Sequence, residues 1–130
     1  MSHILVIDDD PTICLLLQRA LEPLGHRVTV AHDGQKGLAA HKGAPADLVI
    51  TDLVMPGMEG IETIRELRRQ YPGLKIIAMS GGGRGKATDY LLMARKFGAQ
   101  RTLAKPFTLQ TLTQQVTELL DESPDAAGRA

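Results

Sequence analysis

Cysteine occurs once, at Cys14, so no internal disulfide and no cysteine-rich zinc site can form within this chain of 130 residues. An apolar helical position with a buried, inert thiol is the expectation for it. Tryptophan is missing and aromatics make up only 3% of the chain, while 43% is hydrophobic, so the core must be built from Leu, Ile, Val, Ala and Met. Charge of one sign is lacking too. Fifteen Lys and Arg offset fifteen Asp and Glu, which removes any global field toward phosphate backbones. No apolar run nears the ~18 residues of a membrane span, and the opening stretch Met1 to Ile7 has no basic flank and stops at Asp8. The expectation is a soluble, cytoplasmic protein, of a length that suits one compact domain.

What is present is a regular alternation. Short β-branched runs at Ile4 to Ile7, Val28 to Ala31, Leu48 to Thr51, Ile76 to Met79 and Thr102 to Ala104 read as strands. Helical spacing fills Pro11 to Leu24, Gly34 to His41, Glu59 to Gln70, Lys86 to Phe97 and Leu109 to Leu120. Apolar strands alternating with helices predict an α/β, doubly wound parallel sheet of five strands covered on both faces. Pro11 suits a first helical turn, Gly25, Gly73 and Gly98 follow helical stretches, and Asp33-Gly34 marks a turn. From Asp121 onward no periodic apolar residues remain, so a flexible tail with no output domain after it is the expectation.

In a parallel sheet, polar residues just past each strand collect along one edge. Asp8, Asp9 and Asp10 follow the first strand, Asp52 the third, Ser80 the fourth and Lys105 the fifth. Crowded carboxylates repel and take up protons unless a cation compensates them. Mg²⁺, with Mn²⁺ as a substitute, prefers such oxygen donors and joins carboxylates to phosphate oxygens. Asp52 can then attack phosphorus, with Mg²⁺, the Lys105 ammonium and the Ser80 hydroxyl sharing the charge on the equatorial oxygens.

The stretches Asp8-Asp9-Asp10, Asp52-Leu-Val-Met-Pro56-Gly-Met-Glu-Gly60, Met-Ser80-Gly81 and Lys105-Pro106-Phe107 resemble the motifs of response-regulator receiver domains, over about residues 3 to 121. The resemblance implies a flavodoxin-like (βα)₅ fold with strand order 2-1-3-4-5, a receiver domain over 1–121 and a tail over 122–130. It implies that Asp9 binds Mg²⁺ directly, Asp8 chiefly through water, Asp52 as both ligand and phosphoacceptor, and Val54 through its backbone carbonyl. Ser80 matches the switch hydroxyl, Lys105 the lysine that pairs with the phosphoryl group, and the Lys105-Pro106 bond is expected to be cis.

Two departures bear on mechanism. Where the family usually carries Tyr or Phe as a rotamer switch, this chain has Thr102, so switching is expected to rely on the glycine-rich loop after the fourth strand. The positions that tune attacking water are Val54 and Gly82, whose side chains cannot orient it, so slow self-dephosphorylation is expected.

Plainer readings account for other residues. Asp10 suits a helix cap. His3, His26, His32 and His41 show no metal spacing and default to surface or turn positions. Met55, Met58 and Met79 read as packing residues, and Arg65, Arg68 and Arg69 with Glu62 and Glu66 as a solvated helix face. A haloacid-dehalogenase-like phosphatase competes through Asp8-x-Asp10-x-Thr12, with Asp8 as nucleophile, but leaves Asp52 to Gly60 unexplained. A nucleotide-binding loop at Ser80 to Thr88 lacks the needed residues, and Asp8, Asp9 and Asp52 would repel a flavin phosphate. The other alternative is a receiver-like interaction module that works without phosphorylation. The reading adopted is a stand-alone phosphoacceptor switch, not an enzyme acting on outside substrates. Its expected partners are a sensor histidine kinase or histidine phosphotransfer protein and a downstream protein effector, reached through the face of the fourth helix, fifth strand and fifth helix, with no direct nucleic acid.

Overall fold

A computed structural model describes residues 2–53, 60–80 and 87–122, the side chains of 87–91 excepted. The elements run β1 (His3–Ile7), α1 (Pro11–Leu21), β2 (Arg27–Ala31), α2 (Gly34–Gly43), β3 (Leu48–Asp52), α3 (Gly60–Gln70), β4 (Lys75–Ser80), α4 (Ala87–Phe97), β5 (Arg101–Ala104) and α5 (Leu109–Asp121). All strand pairs are parallel, in the order β2-β1-β3-β4-β5, as expected. The Lys105-Pro106 peptide is cis.

Strand parity sorts the core into two layers, because successive side chains leave a strand on opposite faces. Ile4, Val6, Leu48, Ile50, Ile77 and Met79 point to one side, where Cys14, Leu17 and Leu21 of α1 and Leu112, Val116 and Leu119 of α5 cover them. Leu5, Ile7, Val49, Ile76 and Ala78 point to the other, against Ile64 and Leu67 of α3 and Ala94 of α4. Each fully buried Leu or Ile contributes about 2 kcal/mol relative to exposure, so both layers are needed to hold the sheet.

Local chemistry sets the helix ends. Asp10 caps α1, its side chain accepting from the Thr12 amide at 2.9 Å with Pro11 in the first turn. The expected helix to Leu24 stops at Leu21 and tightens into a 3₁₀ turn over Glu22–Leu24, which Pro23 imposes and Gly25 closes at φ 96°. Asp33 caps α2 through the Lys36 amide at 2.7 Å. Thr108 caps α5 through the Thr111 amide at 3.0 Å, and the Lys75 ammonium donates to the Leu120 and Glu122 carbonyls at the far end. Gly60 opens α3 pressed on the Asp52–Leu53 peptide, where a Cβ would collide with the Asp52 carbonyl oxygen and Leu53 Cα.

Two sequence expectations fail. His3 and His41 are buried, at 7% and 3% exposure, rather than on the surface. Arg68 does not join a solvated face: it donates to the Pro72 carbonyl at 2.6 Å, the Gly98 carbonyl at 2.7 Å and Gln100 Oε1 at 3.1 Å. Arg69 does pair with Glu66 as expected.

Candidate functional site

The C-terminal ends of β1, β3, β4 and β5 converge on a charged cluster. Asp8 is fully buried just past β1, its backbone amide donating to the Ala31 carbonyl at 3.0 Å. Its two carboxylate oxygens are spoken for, one by the Asp10 amide at 2.9 Å and the other by Lys105 Nζ at 2.9 Å. Asp52, the last residue of β3, is 6% exposed. Its Oδ1 is buried without a hydrogen bond, 3.4 Å from Lys105 Nζ. That distance sustains an ion pair, but the direction of approach makes no hydrogen bond. Asp9 stands exposed at the mouth.

Electrostatics follow from this crowding. Burial, and then the Asp8 charge, push the Asp52 carboxyl up to about 6 against the opposing pull of Lys105. Burial alone would lower Lys105, but its hydrogen bond to Asp8 and the charges of Asp52 and Asp8 outweigh that and hold the ammonium above its ordinary value. Two buried carboxylates thus share one cation. Oxygens of Asp8, Asp9 and Asp52 all lie within 4.8 Å of one another. An all-carboxylate donor set with an unpartnered buried oxygen and surplus negative charge fits a hard divalent cation such as Mg²⁺.

Ser80 ends β4 at 2% exposure; since Asp52 pairs with Met79, Ser80 stands one residue beyond it on the neighbouring strand. Its carbonyl accepts from the Lys105 amide at 2.8 Å. Thr102 is half-buried on β5, opposite Ala78. Val54, Met55, Met58, Gly82 and the rest of the glycine-rich loop lie outside the described residues.

Two supports went unnoticed in the sequence. His32 Nδ1 donates to the Asp8 carbonyl at 3.2 Å, and the Cys14 thiol approaches the same oxygen at 3.4 Å. Neither residue carries a motif: the His32 contact exists only once β2 lies beside β1, and the Cys14 contact only once α1 folds back on the end of β1. Burial, then Asp8 and Asp10, raise the Cys14 thiol to about 11, so it is inert as expected. Asp10 is exposed, and one of its carboxylate oxygens serves the α1 cap, the role expected of it.

Large apolar side chains are exposed on three helices: Leu15 at 47% on α1, Leu109 at 45% at the start of α5, and Leu92 and Met93 at 62% and 44% on α4; Pro106 is exposed as well. Among the described residues no helix is long and apolar enough to cross a membrane.

Comparison with known proteins gives concordant matches. The family profile described as "Response regulator receiver domain" matches residues 4–117. The transcriptional regulatory protein TcrA of Mycobacterium tuberculosis is 36% identical over 122 residues, 94% of this chain and 47% of TcrA, so the chain spans about half that relative's length. A response regulator receiver domain protein of Clostridium thermocellum superposes with a TM-score of 0.85 at 32% identity, covering 93% of this chain and 95% of that one. The receiver domain of NtrX from Brucella abortus gives 0.86 at 30% identity, covering 92% and 99%.

Proposed function

Since this chain belongs to the response regulator receiver domain family of two-component systems, we propose that it is switched by phosphorylation of Asp52. Members of the family are signalling domains rather than classical enzymes. The observation that carries the assignment is the Asp52 carboxylate, buried at the sheet edge beside Asp8 and 3.4 Å from the Lys105 ammonium.

In this reading the donor is phosphohistidine on a sensor kinase or phosphotransfer protein. An Asp52 oxygen attacks phosphorus, the phosphorus–nitrogen bond breaks, and the imidazole leaves with a proton from solvent. Asp8, Asp9, Asp52 and the Val54 carbonyl would hold Mg²⁺, which when bound neutralises charge on the carboxylates and phosphoryl oxygens. Lys105 turns from Asp8 toward the new phosphoryl oxygens and pairs with them. The Ser80 hydroxyl donates to another of those oxygens and draws the end of β4 inward. The exposed Leu15, Pro106 and Leu109 would offer the donor apolar surface to dock on, and the exposed Leu92 and Met93 of α4 would serve a protein effector on the α4-β5-α5 face. With Thr102 in place of an aromatic, the loop after β4 carries the change. With Val54 and Gly82 unable to orient water, the acyl phosphate decays slowly. We place the domain at 1–121 and the protein in the cytoplasm.

The test is intact and peptide mass spectrometry after incubation with Mg²⁺ and acetyl phosphate. One labile phosphoryl group on Asp52, missing in Asp52→Asn, is expected. Label on Asp8 would turn the assignment to the phosphatase, and no label to a phosphorylation-independent module.

A further inference from the structure

The far edge of the sheet, away from the aspartates, contains two buried imidazoles that phosphotransfer does not use. Both act on one short segment, the connection between α2 and β3. His3 of β1 donates from Nδ1 to the Pro45 carbonyl at 3.1 Å, and its Nε2 meets Thr29 Oγ1 at 2.7 Å. The His3 backbone exchanges bonds with Asp47: its amide donates to Asp47 Oδ2 at 2.7 Å and its carbonyl accepts from the Asp47 amide at 2.7 Å. Between those two anchor points, the Ala46 amide donates to His41 Nδ1 at 3.1 Å. Consecutive residues 45, 46 and 47 are therefore each fastened, two by His3 and one by His41.

The His41 bond has a sign that the others lack. A backbone amide can only donate, so Nδ1 must be the bare nitrogen of a neutral ring. Adding a proton there sets two donors face to face in a buried place, and the bond is lost. We propose that His41 is an acid-released latch on the α2–β3 connection: the neutral ring holds Ala46 and hence the start of β3, and protonation lets that segment open.

The surroundings oppose the charge. The titratable groups against His41 are His3 from β1 and Tyr71 at the end of α3, whose ring stands edge-on with centroids 4.3 Å apart. Asp47 is turned to the His3 amide, and Lys42, next to His41 on α2, is exposed. Burial, and then His3, lower the His41 pKa below its ordinary 6.5. A basic group with a depressed folded pKa gives stability that is complete above the unfolded value and is lost as pH falls toward the folded one. The latch is thus closed at neutral pH and weakens in mild acid. Because the opened segment takes up a proton that the closed one refuses, the open population grows up to about tenfold per pH unit in that window and then levels off.

Nitrogen-15 imidazole spectra and amide exchange, read on the whole chain, decide it. Expected are a neutral His41 protonated on Nε2 at pH 7.5, and exchange at Ala46, corrected for intrinsic rate, that accelerates below about pH 6.5 and plateaus at the His41 midpoint. His41→Asn keeps an acceptor for the amide without a titrating ring, so it should retain Ala46 protection and lose the pH step. Flat Ala46 protection through the His41 titration, a step that survives in His41→Asn, or a ring protonated on Nδ1 at pH 7.5 would overturn the proposal. Should the variant fail to fold, the wild-type midpoints decide alone: coincidence supports the latch and separation sinks it.

Discussion

The two ends of the parallel sheet are built on opposite rules. At the C-terminal end of the strands, Asp8 and Asp52 are buried with one shared ammonium, and Asp52 Oδ1 has no hydrogen bond. At the N-terminal end, polar groups close on one another. Gln100 Oε1 accepts from the Ile76 amide at 2.8 Å and from Arg68, while its Nε2 donates to the Leu74 carbonyl at 3.1 Å. Arg68 seals the turns at Pro72 and Gly98, and His3 and His41 hold the segment before β3. The N-terminal end fixes the strands, with His26 Nδ1 before β2 its one buried polar side-chain atom lacking a hydrogen bond among the described residues; the C-terminal end is left with charge that a cation or a phosphoryl group can answer. Unsatisfied buried polarity persists in a fold only where the rest of the structure over-determines it.

This contrast can be broken from either side. The largest expected effect is Lys105→Met without divalent cation, which leaves both carboxylates uncompensated and costs about 3 kcal/mol. Urea unfolding should show the loss, and Mg²⁺ should restore most of it; a variant as stable as the wild type in chelator would mean the charges are already relieved by solvent. Next comes Arg68→Leu at the opposite end. It removes the charged hydrogen bonds to the part-buried Gly98 carbonyl and Gln100 Oε1, at about 2 kcal/mol, and here Mg²⁺ should recover nothing beyond what it adds to the wild type. A Mg²⁺-dependent recovery would erase the distinction between the two ends. The smallest is His41→Asn, which keeps the acceptor for Ala46 but gives up the ring contact with Tyr71, at about 1 kcal/mol at pH 7.5. On acidification below pH 6.5, the ordinary value of the ring, wild type should lose stability relative to the variant. Parallel pH profiles would remove His41 as the source.

The alternation of β-branched runs and helical spacing made the doubly wound sheet legible, and the polar residues just after each run placed Asp8, Asp52, Ser80 and Lys105 on one edge. That inference works because parallel strands share a direction, so position in the run already encodes the end of the sheet. Strand starts were less legible. Lys75 and Arg101 belong to β4 and β5 although neither is apolar, since ladder hydrogen bonds need backbone alone and both cations find partners at the sheet's end. His3 and His41 were hidden for a related reason. A histidine in a sequence gives no sign of whether its ring nitrogens will meet backbone carbonyls and amides once the chain folds, as His3 does with Pro45, 42 residues on, and His41 with Ala46. His32 is the same case at the site itself.

Lys105 serves two masters. In the structure its ammonium is the counterion of Asp8, and in the phosphorylated form proposed above the same group would be needed elsewhere. Capturing it for phosphoryl oxygens would uncover the Asp8 carboxylate, so in that proposal the energy difference between the two forms contains Lys105 with both signs. Lengthening, shortening or delocalising this one cation therefore moves both ends of the equilibrium at once, and its net influence on how far the switch is thrown is smaller than its influence on either form alone.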